Sequence, residues 1–197
     1  MTATTSFDAR QAQRVKKVLQ LVNWAGHRMG GDVPPIVDMP SLRALPQGSL
    51  GHAWAKHLDD TGLDPFLKGP RRLQLHDGLH VLTGYGTDPM GEAEVQAFLI
   101  GAKFRVVHGI LLLGSMRMVH RQRRHKRIPW TAAEVRSRLL SAYAMGRDSR
   151  FDPDTWQPET QWRQSLADVQ AAFGIRQHCW QQAQSASERV SHRPLTP

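Results

Sequence analysis

The sequence predicts an all-α fold, a single compact multi-helix domain with a metal site between two helices, and three observations carry that prediction. Apolar residues recur at three- and four-residue spacing along most of the chain. Residues with good helix-capping chemistry (Ser49, Asp88, Thr131) stand at the head of these segments. No stretch of alternating apolar and polar residues competes, and no internal repeat is evident. A length of 197 residues suits one domain with a sizeable core. The expected boundaries are a flexible N-terminus over 1–8, one helical domain over 9–180 and a disordered, Ser/Gln-rich tail over 181–197.

The elements follow in order. Val15, Val18, Leu19 and Val22 define an amphipathic helix over 9–29, ended by Gly30-Gly31. Four prolines (Pro34, Pro35, Pro40, Pro46) make 32–46 an extended connection. Ser49 caps a helix whose face is Leu50, Ala53, Trp54, His57 and Leu58, and which stops near Thr61-Gly62. A short helix is expected over 73–82. Asp88 and Pro89 then suit the cap and first residue of a helix running to about Gly101. The region 102–127 reads as helical, passing from apolar to basic. Thr131 with Glu134 forms a capping box for a helix that ends at Gly146. A loop with Pro153 and Pro158 leads to a last helix over 160–173, closed by Gly174.

Chemistry concentrates in His76, Asp77, His80 and Glu92, an HDxxH-x11-E pattern. On a helix, His76 and His80 lie one turn apart on one face, so two imidazoles can reach one cation. Asp77 precedes His80 by three and can swing to the same side. Glu92 stands early in the next helix, where the glycine-containing turn folds it back over the pair. Two imidazoles and two carboxylates suit zinc or another divalent first-row metal. A bare HxxxH among ten histidines is ordinary, and an acid in a helix's first turn has its own electrostatic reason. The setting is less ordinary, because Leu75, Leu79 and Leu82 bury this helix and unpaired charge is costly there.

The pattern with its flanks resembles the Coq4 family of ubiquinone-biosynthesis proteins. Gly48-Ser49-Leu50-Gly51 with Ala53, and Gly62-Leu63-Asp64-Pro65, resemble the segment before the motif. Ala142-Tyr143-Ala144-Met145-Gly146-Arg147, Trp162, Ser165-Leu166 and Phe173-Gly174-Ile175 resemble the C-terminal part. The likeness covers roughly residues 40–175, and the segment 66–75 is shorter than is usual in the family. The resemblance implies an all-helical fold with His76, Asp77, His80 and Glu92 as metal ligands, for zinc first and iron as the alternative. It implies oxidative decarboxylation of the C1 carboxylate of a prenylated benzoquinone precursor, organisation of the biosynthetic complex at the membrane, or both. Arg147, beside Gly146, is the candidate catalytic residue, its forked donors suited to a substrate carboxylate. The alternative is a non-catalytic prenyl-lipid-binding scaffold with a structural metal.

Partners expected on this reading are a polyprenylated aromatic substrate, an anionic membrane surface, other quinone-biosynthesis proteins and a second copy of the chain. The net charge of +9 draws anions of many kinds. The densest basic run is Arg117, Arg121, Arg123, Arg124, Lys126 and Arg127, flanked by Met116, Met118, Val119, Ile128 and Trp130. A solvated helix face is the common explanation of such a run, and anionic headgroups are the specific one. Nucleic acid is not expected, since no reading motif accompanies the charge. An HD-type phosphohydrolase would need a further upstream His, for which His52 and His57 are the candidates, and a downstream Asp that does not stand out. Phe98, Leu99, Ile100, Phe104, Val106, Val107 and Ile110 through Leu113 offer apolar surface for a prenyl channel, but core is the expectation for most of them. Gly101, Gly109 and Gly114 would let a helix or lipid chain approach. The lone Cys179 allows no intrachain disulfide. No secretory signal stands out, and Lys103, Arg105 and His108 make 98–118 a poor bilayer span. The expected place is the cytoplasm, peripheral to the inner membrane, or the matrix side of the mitochondrial inner membrane in a eukaryote.

Overall fold

Side-chain caps set the start of four of the eight described α-helices, three of them at residues the sequence nominated. The computed structural model describes residues 33–125 and 130–176. The helix expected over 9–29, the terminal stretches 1–8 and 181–197, Cys179, and the Lys126, Arg127 and Ile128 part of the basic run lie outside these. Ser49 accepts from the His52 amide at the head of α2 (Leu50–Thr61), which closes on Gly62 at φ 63°. Asp88 accepts from the Met90 and Gly91 amides ahead of α5 (Pro89–Ala102). Thr131 and Glu134 complete the capping box of α7 (Ala132–Asp148). Among the described residues there are eight α-helices and no strand, so the all-α prediction holds.

Several boundaries differ. The extended connection over 32–46 contains a short helix, α1 (Met39–Arg43), because Pro40 falls in its first turn, where the missing N–H costs nothing. The helix expected over 73–82 is two pieces, α3 (Arg71–Gln74) and α4 (His76–Thr83), joined through Leu75 at φ −83°, ψ −8°. The long helix over 102–127 is interrupted at Lys103 (φ −160°, ψ 98°), and α6 starts afresh at Val106 and runs to Arg124. Gly146 does not end α7, which continues to Asp148. Its role is contact, since a Cβ at Gly146 would overlap the Phe98 carbonyl and one at Gly101 the Tyr143 carbonyl. These two glycines let α5 and α7 cross backbone to backbone. Around Gly109 and Gly114 there is open space instead, so they serve no close approach within the chain. The last helix, α8 (Leu166–Phe173), begins at the Ser165 cap, and only a 3-10 turn occupies 158–160.

The helix starts of α2 and α8 are tied together by Leu50 N to Gln164 O (2.8 Å), Gly51 N to Trp162 O (3.0 Å) and Leu166 N to Gly48 O (2.9 Å). Between them sits an aromatic core of Trp54, Trp156 and Trp162, with ring centroids 5.9 and 5.2 Å from Trp54. α5 lies at the centre, with α6 and α7 packed on it. Phe98 and Leu99 are core, as expected. The expectation of core fails for Phe104, Val106, Ile110 and Leu113, which are 67, 70, 63 and 73 % exposed and line neither a core nor an internal channel. The break at 103–105 is the physical reason. It re-aims α6 so that only His108 and Val119 of that helix are buried. No helix among the described residues is long and apolar enough to cross a membrane.

Candidate metal centre

α4 holds its place by a missing side chain. Gly78, the residue inside the HDxxH pattern, rests against the Trp54 ring, and a Cβ there would overlap it. This close seat presses α4 onto α2, and Gln170 of α8 clamps the far end by donating to the Leu82 carbonyl at 2.8 Å. α5 then brings Glu92 over the two histidines from its first turn.

The result is a three-residue group, His76, His80 and Glu92, with one potential ligand atom from each lying within 4.8 Å of one another. His76 Nε2 is 3.3 Å from Glu92 Oε2, and His80 Nε2 is 3.3 Å from Glu92 Oε1. The two rings meet edge to face, with centroids 4.9 Å apart. Asp77, the fourth expected ligand, stands beside the group. It is buried, with its Oδ1 3.6 Å from His76 Nδ1. At that distance no hydrogen bond forms, and His76 Nδ1 is buried without a hydrogen-bond partner among the described residues, so Asp77 acts on His76 through its charge.

The His80 tautomer follows from its partners. Its Nδ1 is 3.1 Å from the Tyr85 carbonyl, which can only accept, so Nδ1 carries the proton and donates. In the neutral ring Nε2 is then a bare lone pair, and it is buried with no hydrogen-bond partner among the described residues. It faces a carboxylate oxygen, so two acceptors point at each other. A cation between them resolves that conflict, and imidazole, imidazole and carboxylate form a donor set that fits zinc or iron. Burial works to lower the His76 pKa, but the Glu92 and Asp77 carboxylates outweigh it and raise it to about 10. His76 in turn holds the Glu92 carboxyl well below the usual range, against the upward push of burial. A metal entering here must displace the His76 proton.

Other nominated residues lie around this group. The His57 ring stacks on His80 at 5.8 Å, and its Nε2 is buried without a hydrogen-bond partner among the described residues. Burial, then the neighbouring His80, lowers its pKa. Arg147 is exposed at the end of α7 and forks onto Asp148 at 2.8 and 3.2 Å. Its backbone packs at Gly101, nine residues beyond Glu92, or about 13 Å of helix. No contact joins it to the centre.

Sequence reasoning missed the polar group one turn below the centre. There Gln96 accepts from His108 Nδ1 at 3.0 Å, and Arg72 Nη1 donates to His108 Nε2 at 3.2 Å. The signal was available, since Arg72 stands four before His76 and Gln96 four after Glu92.

No family model matches the chain. Curated proteins do. It is 27 % identical over 163 residues to the ubiquinone biosynthesis protein COQ4 homolog, mitochondrial, of Xenopus laevis, covering 71 % of this chain and 51 % of that one. It is 30 % identical over 137 residues to the Talaromyces stipitatus ubiquinone biosynthesis protein coq4, mitochondrial, covering 59 % and 47 %. With the Culex quinquefasciatus homolog 1 it shares 26 % over 171 residues, covering 77 % and 58 %. The chain thus spans about half the length of the curated relatives it matches. A crystal structure from Nostoc punctiforme, of a protein named for ubiquinone biosynthesis, shares the fold at a TM-score of 0.59 and 19 % identity, covering 84 % of this chain and 81 % of that one. With the motif residues present and these relatives matching up to 77 % of its length, the chain is similar to the Coq4 proteins of ubiquinone biosynthesis.

Proposed function

We propose that this chain is a metal-dependent protein of ubiquinone biosynthesis, acting on the C1 carboxylate of a polyprenylated aromatic acid. The observation that carries the metal reading is the opposed acceptor pair, His80 Nε2 and Glu92 Oε1 at 3.3 Å, with His80 Nδ1 already committed to Tyr85. The names of the relatives supply the pathway. Bound metal would supply Lewis acidity to a phenolate or carboxylate oxygen. With three protein ligands the site keeps a position open for such an oxygen, as catalytic rather than structural zinc sites do. The chain's own contribution is placement. Tyr85 fixes the His80 imidazole from behind, Asp77 adds a negative charge beside His76, and burial of the group keeps the local field strong. In the overall conversion the carboxyl leaves as carbon dioxide and a hydroxyl takes its place. That is a two-electron oxidation, and dioxygen is the oxidant class proposed, taking up the two electrons as hydrogen peroxide while water supplies the hydroxyl.

A seat on an anionic membrane belongs to the same proposal. The exposed Val106, Ile110 and Leu113 lie ahead of Arg117, Arg121 and Arg124 on the solvent side of α6, with Phe104 exposed just before the helix, apolar first and basic after. That order suits a helix entering a bilayer at one end and meeting headgroups at the other. Other quinone-biosynthesis proteins and a second copy of the chain are further proposed partners.

The deciding experiment pairs metal analysis with conversion of a C1-carboxylated intermediate. Wild type should carry metal and support conversion, and His80→Ala should remain folded and do neither. A folded, metal-free His80→Ala protein that still supports conversion would leave only the scaffold role.

A further inference from the structure

We infer that Arg72 anchors the carboxylate of an acidic aromatic ligand one helical turn from the metal centre. The inference rests on the metal reading above for the identity of the ligand, and on separate residues for the anchor. α3 and α4 run on through Leu75, so Arg72 precedes His76 by one turn, about 6 Å. On α5, Gln96 follows Glu92 by the same interval. Two levels therefore face each other between these helices, His76 with Glu92 above and Arg72 with Gln96 below. His108, at the start of α6, bridges the lower level. Its Nδ1–H donates to Gln96 Oε1 (3.0 Å) and its Nε2 accepts from Arg72 Nη1 (3.2 Å).

That bridge occupies one of five guanidinium donors. Arg72 Nε lies 2.8 Å from Asp154 Oδ1 as an ion pair, yet neither Nε nor Nη2 has an aligned hydrogen-bond partner among the described residues, and both atoms are buried. A buried guanidinium N–H left unsatisfied is costly, and an arriving anion removes the cost.

Asp154 does not depend on Arg72. Lys103 Nζ is 3.0 Å from its Oδ2, and Arg105 closes on the same oxygen. Lys103 is shared with Asp152 at 2.7 Å. Three cations thus serve two carboxylates, and among them Arg72 is the one whose buried donors lack an aligned partner among the described residues. Its planar fork matches a carboxylate, which a point charge would not do as well. An acid held there keeps its ring within a turn of His76 and Glu92.

Calorimetric titration of the zinc-loaded full chain with a farnesylated 4-hydroxybenzoate, and with the matching farnesylated phenol, tests the anchor. Wild type should prefer the acid. Arg72→Gln should weaken the acid about tenfold or more while leaving the phenol, the zinc content and the melting temperature unchanged. Asp154→Asn should act in the opposite direction and tighten the acid several-fold, because it removes the competing carboxylate. If Arg72→Gln does not fold, Asp154→Asn and Arg72→Lys decide, the latter keeping charge but losing the fork and weakening the acid. Equal binding of acid and phenol by wild type overturns the inference. So does a weakening by Asp154→Asn, which would make the Arg72–Asp154 pair purely structural. A wild type that carries no zinc yet binds the acid through Arg72 overturns the metal reading alone and leaves the anchor standing.

Discussion

Phe98 and Leu99 on α5 and Ile110 and Leu113 on α6 are similar side chains with opposite fates, the first pair buried and the second largely exposed. The polar residues invert the pattern. α5 takes Glu94 and Gln96 into the interior and most of Glu92 with them, whereas the Arg117, Arg121 and Arg124 side of α6 faces solvent. Packing explains the difference. α5 has α4, α6 and α7 around it, while α6 leans on α5 and presents its other side outward. Interior polar groups are costly unless paired, and most of these are paired. Glu94 binds Arg138 twice at 2.7 Å, and Gln96 binds His108. Across from Glu92, His80 Nε2 of α4 is one of several buried polar atoms left without a hydrogen-bond partner among the described residues. On α6 the anomaly is the reverse, apolar surface with nothing over it. The unpartnered His80 Nε2 against α5 and the bare apolar side of α6 both fall where a non-protein partner would resolve them.

The sharpest way to break this comparison is to remove the ligand that α5 contributes. Glu92→Ala should lower metal affinity by more than about a hundredfold, beyond what loss of an outer-sphere partner costs. Metal per chain after dialysis against a weak chelator reads it directly, and full retention by the variant would refute the centre. The next largest effect belongs to Gly78→Ala. The added methyl must push Trp54 or α4 aside, and overpacking of this kind costs about 1–3 kcal/mol. A melting temperature equal to wild type would show that α4 is not seated as described.

How much of this was legible in the sequence differs along the same line. Capping chemistry is local, so Ser49, Asp88 and Thr131 announced three helix starts that the structure keeps. The spacing of His76, His80 and Glu92 is nearly local as well, needing only one turn between two helices. Gly146 was misread as a stop, because a glycine that ends a helix and one that admits a neighbouring backbone look alike in one dimension. The fate of Ile110 and Leu113 was hidden for the same reason. Apolar periodicity says that a face exists, and only the break at Lys103 determines what it faces. Asp77 and Arg147 were chosen by sequence proximity, to His80 and to Gly146 respectively. The structure orients one toward His76 Nδ1 and the other toward Asp148.

His108 sharpens the comparison, because it joins α6 to α5 through a neutral imidazole. Burial, and then the Arg72 and Arg105 charges, lower its pKa to about 4. A depressed histidine is favoured unprotonated by the fold. Its stabilisation is complete above the ordinary value near 6.5 and is lost as pH falls from there toward 4. His76 has the opposite sign, its contribution being complete below about 6.5 and lost as pH rises toward 10, so it is constant in the acidic window. Between pH 6.5 and 4.5 wild type should therefore lose on the order of 1 kcal/mol, after discounting for partial screening, that His108→Gln does not lose. Denaturant midpoints at the two pH values measure the difference, and parallel slopes for both proteins would separate His108 from the fold's acid sensitivity.

The smallest effect on stability should come from the exposed side of α6, and its smallness is the point. Ile110→Ser with Leu113→Ser removes apolar surface that is already in water, so the folded state gives up little burial, and stability should stay within about 0.5 kcal/mol of wild type. Vesicles supply what water does not. If the apolar half of α6 enters an anionic bilayer, the double variant should bind vesicles of anionic phospholipid several-fold more weakly than wild type at one salt concentration. Arg121→Gln should lose its smaller increment, on the order of 1 kcal/mol, mainly at low salt. The two dependences separate insertion from attraction, because salt screens the arginines and leaves the apolar contribution in place. Unchanged vesicle binding by the serine variant, with stability also unchanged, would leave the charge of α6 as its only membrane-facing property. A large loss of stability would mean instead that Ile110 and Leu113 are covered by protein, and that the contrast between α5 and α6 is one of partner rather than of solvent.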